Sequence, residues 1–215
     1  MVNIPEISKE NRSLQAKYRI SSMFYDILDY PWEQQYKKWR PELLDDVHGA
    51  VIEAGVGTGR NLRYYPPKAK VTGIDLSREM LKISTKRGRL AECEFYPVHE
   101  DVTSMNSIPA NYFDWLISTY LCCVMPDHLQ PLAIDQFERV LKPGAHFRIL
   151  EMVYSKNPMI RRKQELFAPF IQWVYGARFD RNTLLYFEKS PILKITKKYY
   201  LKEDVYLVIE AVCLK

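Results

Sequence analysis

The sequence has no apolar stretch near the ~20 residues that a membrane-spanning helix requires; the longest, Leu116 to Met125, is interrupted by Ser118 and Thr119. Its four cysteines, Cys93, Cys122, Cys123 and Cys213, lack C-x-x-C spacing. Adjacent thiols such as Cys122 and Cys123 rarely bridge, so reduced cysteines in a cytoplasmic compartment are expected. The four histidines, His48, His99, His128 and His146, show no metal-ligand spacing, and no metal is expected. Residues 1–6 offer neither a basic n-region nor an apolar core, which argues against a secretory leader. No internal repeat, low-complexity segment or long linker divides the chain, and 215 residues suit a single α/β domain. A hydrophobic content of 47% excludes wholesale disorder. The net charge of +5 permits attraction to an anionic surface. It is not concentrated in a Lys/Arg tract or an appended module, so no nucleic-acid partner is expected.

Glycine is scarce as well, with eight residues, yet three of them alternate at Gly55, Gly57 and Gly59. They follow the apolar run Val51-Ile52-Glu53-Ala54 and precede a helical start. Such a strand–turn–helix brings bare backbone and unsatisfied N–H groups against a ligand. Asp75 ends the next apolar run, 20 residues beyond Gly55, where a carboxylate can accept both hydroxyls of a ribose. The loop is therefore a nucleoside-cofactor site. A dinucleotide fingerprint would need a glycine at position 60, which is Arg60. Glu53 would also repel a pyrophosphate, whereas it suits a ligand carrying an ammonium group.

E-x-G-x-G-x-G followed by hydrophobic-Asp resembles motif I and its acidic partner in class I S-adenosylmethionine (SAM) methyltransferases. Strand-like runs at 50–54, 71–75, 94–99, 115–119 and 146–152 alternate with helical patterns at 77–86 and 128–140, which predicts a doubly wound parallel α/β sheet. Two further strand runs, 192–200 and 206–214, are separated by a gap too short for a helical crossover and should be antiparallel. The resemblance implies strand order 3-2-1-4-5-7-6 with strand 7 antiparallel, in a single domain. The Val140-Leu141-Lys142-Pro143-Gly144-Ala145 turn resembles the family's V-L-K-P-G-G, with Ala145 replacing the second glycine.

The same resemblance implies SAM as cofactor, S-adenosylhomocysteine (SAH) as product, and contacts from Glu53, Gly55, Gly57, Gly59, Asn61, Asp75, Leu76 and Met80. Asp101 and Val102 would meet the adenine, with Glu100 the competing acid. Ser118 and Thr119 would lie beside the sulfonium. Residues 61–67 and 121–124 resemble bacterial phospholipid N-methyltransferases and related thiol-methylating, membrane-associated enzymes, and more distantly the ubiquinone/menaquinone C-methyltransferases. Many relatives carry a histidine after the strand-five glutamate. Here Glu151 is followed by Met152, so no general base is assigned; Tyr120, Tyr175 and Glu151 are positioned to take a proton, but a structural role is favoured for each.

Acceptor chemistry is expected in the two flanks. Ile20, Phe24, Ile27 and Leu28 form a helical stripe in an N-terminal region (1–45) of lid helices, where Tyr25, or else Tyr18, would reach the methionine carboxylate. An insertion at 155–189 is basic, aromatic and amphipathic, with Pro169 expected to kink it. Its apolar face either covers the sheet and active site, the favoured account, or lies on an anionic bilayer. The expected activity is SAM-dependent methylation of a small or lipid-like acceptor, foremost the phosphatidylethanolamine head group, at a peripheral membrane location. A quinone precursor or other aromatic is the alternative acceptor. A SAM-binding regulator without turnover and an NAD oxidoreductase stay open. Strand four ends without the [D/N]-P-P-[Y/F] signature, so DNA adenine methylation is not expected.

Overall fold

The computed structural model describes residues 30–215. Within them, seven strands form one sheet in the order β3-β2-β1-β4-β5-β7-β6. The strands are β1 (Gly49–Ala54), β2 (Ala69–Asp75), β3 (Glu94–His99), β4 (Phe113–Thr119), β5 (Leu141–Met152), β6 (Leu193–Tyr200) and β7 (Tyr206–Cys213). β1 to β5 run parallel, and β7 is antiparallel to both neighbours. Five helices are described: α1 (Tyr30–Leu44), α2 (Arg78–Gly88), α3 (Gln130–Val140), α4 (Pro158–Tyr175) and α5 (Thr183–Glu188). The class I methyltransferase sheet implied by the sequence is thus the observed one.

Period-two alternation supplies both layers. Neighbouring Trp115 and Leu116 on β4 enter different cores. One core joins Leu116 to Phe137 of α3 and Phe187 of α5. The other joins Trp115 to Tyr36, Leu43 and Leu44 of α1. The start of α2 is fixed by Ser77, whose hydroxyl accepts the Met80 N–H at 3.3 Å.

Two local expectations change. The expected helix at 128–140 opens as a 3-10 turn, Asp127–Leu129, before α3. β5 starts at Leu141, ahead of the expected 146, because residues 142–145 stay in the strand as a register irregularity with Gly144 at φ +75°. α4 holds Pro169 inside it and continues to Tyr175. Pro169 sits on the exposed side, where water can take the carbonyl that its missing N–H leaves free. α5 falls within the insertion and carries no helical pattern long enough to see.

The sheet order reverses between β1 and β4, which are neighbours with crossovers leaving to opposite sides. In open α/β sheets, ligands bind outside the carboxyl ends of the strands at such a switch point. The glycine loop leaves β1 at that place.

Candidate functional site

A cavity of about 850 Å³ opens at the switch point and extends under α4. Gly55, Gly57 and Gly59 all take positive φ, +75°, +53° and +77°, which only glycine adopts readily. A Cβ on Gly55 would touch Leu121 at 3.0 Å, and one on Gly59 would strike the Ser84 backbone at 2.9 Å. A Cβ on Gly57 would meet nothing within 4 Å. Gly57 therefore presents bare main chain to open space in the cavity, a cradle that a side chain would fill.

Asp75 stands opposite. Its Oδ2 accepts the Gly57 N–H and its Oδ1 the Ser77 N–H, both at 2.8 Å. Burial lifts its carboxyl to about 6, against the pull of those N–H groups. The remaining lone pairs border the cavity. Glu53, 1% exposed, receives Asn61 Nδ2 at 2.8 Å and the Tyr65 hydroxyl at 3.0 Å. Burial lifts it to about 7, and Tyr65 is raised for the same reason.

Asn61 uses its whole amide. Oδ1 accepts Arg40 Nε at 2.7 Å, while Nδ2 also reaches Thr119 Oγ1 at 3.2 Å. Arg40 in turn pairs with Glu33, which also meets Arg60 at 2.8 Å. Asn61 thus supports the site by joining α1, β1 and β4, and it has no N–H left over for a ligand.

Asp101 Oδ1 accepts the Thr103 N–H at 2.9 Å and its hydroxyl at 2.7 Å. Glu100 holds Ser107 through both oxygens, at 2.9 and 2.6 Å. Both acids border the cavity, together with Leu76, Met80, Val102 and Thr119. Ser118 and Gly59 do not. The Ser118 hydroxyl is buried in β4 without a hydrogen-bond partner, and Gly59 packs on Leu62 and Ser84. Tyr25 and Tyr18 lie outside the described residues.

Beyond the loop the cavity becomes an aromatic chamber. Tyr36 packs on Tyr120 with its ring tilted, centroids 4.8 Å apart, and meets Tyr206 edge-on at 5.8 Å. Tyr120 adopts φ +60°, a strained conformation for a bulky residue, and its buried hydroxyl has no hydrogen-bond partner. Burial raises it well above the usual phenol range, so it stays neutral. Glu151 lies behind this wall, not on it. Its two oxygens accept the N–H groups of Cys122 and Cys123 at 2.7 and 2.9 Å, and burial lifts it to about 7. It fixes the turn at 121–125 that lines the chamber. The mouth carries Lys163, Lys202 and Glu203, and among the described residues no histidine borders the cavity.

Sequence reasoning missed Arg40, Tyr36, Tyr65 and Tyr206. A helical Glu33–Arg40 spacing was visible, but Arg40's second partner lies 21 residues further on, where no local pattern reaches.

The methyltransferase-domain family matches residues 51–144, from β1 into the start of β5. A demethylmenaquinone methyltransferase of Staphylococcus haemolyticus (strain JCSC1435) is 26% identical over 157 residues, 69% of this chain and 64% of that relative. The Staphylococcus aureus (strain JH9) enzyme of the same name gives the same figures, 26% over 157 residues, 69% and 64%. The match thus spans less than two thirds of these relatives' length. Among solved structures, the N-methyltransferase NodS from Bradyrhizobium japonicum WM9 with SAH superposes at a TM-score of 0.65. It is 15% identical and covers 97% of this chain and 100% of that one. Geranyl diphosphate C-methyltransferase from Streptomyces coelicolor A3(2) also gives 0.65, at 11% identity over 85% and 76% of the two chains. These structures share the fold. With the sheet order reversing at the glycine loop and the family match beginning on the strand that feeds it, the chain carries a methyltransferase-domain match over residues 51–144 on a class I methyltransferase fold.

Proposed function

We propose that this protein is a SAM-dependent methyltransferase with a lipid-like acceptor, and that the reaction is N-methylation of a phospholipid head group, foremost phosphatidylethanolamine. The observation that carries this reading is the cavity itself. A polar cradle with bare Gly57 backbone and Asp75 continues into an aromatic chamber whose mouth holds charges of both signs. A zwitterionic head group matches Lys163, Lys202 and Glu203 at the mouth, and the apolar walls suit the lipid beyond it.

SAM supplies an activated methyl on a sulfonium. Asp75 offers its lone pairs to the ribose hydroxyls. Asp101 and Val102 would hold the adenine, and Glu53 would receive the methionine ammonium. Asn61 and Arg40 hold Glu53 in position. The turn at 121–125, pinned by Glu151, and the rings of Tyr36, Tyr120 and Tyr206 exclude water and align the acceptor. An amine arriving neutral needs no protein base.

A prenylated quinone precursor is the second reading, favoured by what the curated relatives are called. Labelled-methyl transfer from SAM, offered separately to phosphatidylethanolamine vesicles and to a demethylated naphthoquinol, discriminates between them. Label in the phospholipid is expected. Label only in the quinone moves the assignment to the second reading, and SAH binding without transfer to either or to a cell extract assigns a regulator. A peripheral position on the inner face of a membrane is the location this function implies.

A further inference from the structure

Helix α4 has a broad apolar surface, of which the fold uses one edge. Gln164, Ile171 and Tyr175 are buried, and Phe167 borders the cavity. Gln164 clips the helix to the end of β5, accepting the Ser155 N–H at 2.8 Å and donating to the Val153 carbonyl at 2.9 Å. The other edge is exposed. Met159, Leu166 and Trp173 recur every seven residues, so they stand in one line. Their exposures are 74, 76 and 77%, and Phe170, at 51%, connects that line to the cavity mouth.

Charge frames the line. Arg162 and Lys163 fall on its two sides, at the helical spacing of about 100° per residue. The single acid on the helix, Glu165, is paired with Arg161 at 3.0 Å. Among the described residues, no helix is long and apolar enough to cross a membrane. A helix with one apolar edge, flanking cations and a tryptophan at its rim is suited to lie in the plane of an interface. A two-fold contact with a second copy would instead set Arg162 and Lys163 of both copies near one another, with no unpaired acid on the helix to receive them.

We propose that this edge of α4 docks the protein on an anionic lipid surface. Met159, Leu166 and Trp173 enter the acyl boundary, Arg162 and Lys163 meet lipid phosphates, and the cavity mouth faces the bilayer. The proposal rests on the lipid-acceptor reading and locates its membrane.

Vesicle co-sedimentation of the full chain tests it, with phosphatidylcholine alone against equal parts phosphatidylcholine and phosphatidylglycerol. Binding is expected to the anionic vesicles only, weakening as salt rises. A Met159→Gln, Leu166→Gln, Trp173→Gln triple variant should lose binding at least about tenfold, given the apolar area withdrawn. Arg162→Glu, which leaves the apolar line intact, should weaken it by about tenfold as well. Calorimetric SAH binding, measured on every sample, reports that each variant is folded. The proposal is overturned if wild type ignores anionic vesicles, or if both variants bind them as tightly as wild type. It is also overturned if wild type is a dimer that the triple variant dissolves while neither binds lipid. Vesicle binding by a wild type that fails to bind SAH would sink the methyltransferase reading and leave the docking face standing.

Discussion

Asp75 and Gly57 are joined across the switch point by a 2.8 Å hydrogen bond, so the acid we propose for the ribose also sets the shape of the loop opposite it. Asp75→Ala is expected to remove charge-assisted bonds worth about 1.5–3 kcal/mol each. Calorimetry with SAM should show Kd rising tenfold or more. Unchanged affinity in a folded variant removes Asp75 from the site.

The glycines separate stability from binding. Gly59→Ala forces a Cβ to 2.9 Å from the Ser84 backbone at φ +77°. Overpacking of that kind costs about 1–3 kcal/mol, so the melting temperature should drop clearly. Gly57→Ala, with open space around its Cβ, should cost folding only about 1–2 kcal/mol for the left-handed backbone. Its main effect should be weaker SAH binding, because the new methyl enters the cradle. Equal losses of affinity in both variants, after correction for the folded fraction, would contradict this division.

Glu151→Gln tests the pinned turn. An amide offers one accepting oxygen where Cys122 and Cys123 present two N–H donors. One donor is left facing an NH₂ group, at about 1–3 kcal/mol. Thermal melts should fall accordingly, and methyl transfer should fall with them because residues 121–125 line the chamber.

Glu53 and Glu151 are each lifted by burial to about 7, and Asp75 to about 6. Since these folded values exceed the ordinary ones of 4.5 and 3.8, the folded chain binds the protons more tightly than the unfolded chain. Their contribution is favourable below the ordinary carboxylate range and is lost as pH rises through about 7. Asp46, held low by its bond to Arg148, acts in the opposite sense but below 3.8, outside this window. Thermal melts of SAH-free protein should therefore show stability falling toward neutral pH, and Glu53→Gln should flatten the slope. A ligand ammonium near Glu53 favours the ionised form, so SAM affinity should rise over the same window, by at most about tenfold per pH unit for one group. An affinity that falls with rising pH would place the ammonium elsewhere.

Most of the architecture was legible because its signals are local. An apolar run marked β4, the Ser77 cap marked α2, and the short gap before Tyr206 required an antiparallel pair. The pairing of Gly57 with Asp75 was legible because alternating glycines and an acid recur at a set spacing. Asn61 borders the cavity, and its bracing role was not legible locally. Its amide is consumed by Arg40, Glu53 and Thr119, three partners that only the folded topology brings together. Ser118 sat one residue from the cavity wall, and a strand's period of two turns such an offset into the opposite face. The exposed line on α4 was audible as amphipathicity, but its division into a buried and an exposed edge depends on where Gln164 clips the helix.

The chain of contacts from Glu33 through Arg40 to Asn61 carries a mechanical consequence. The helix that backs the glycine loop also lends Trp32 and Tyr36 to the cavity wall. The two ends of the cavity therefore share one partition, braced by Arg40 and, through Glu33, by Arg60. A change that shifts this helix moves both ends at once.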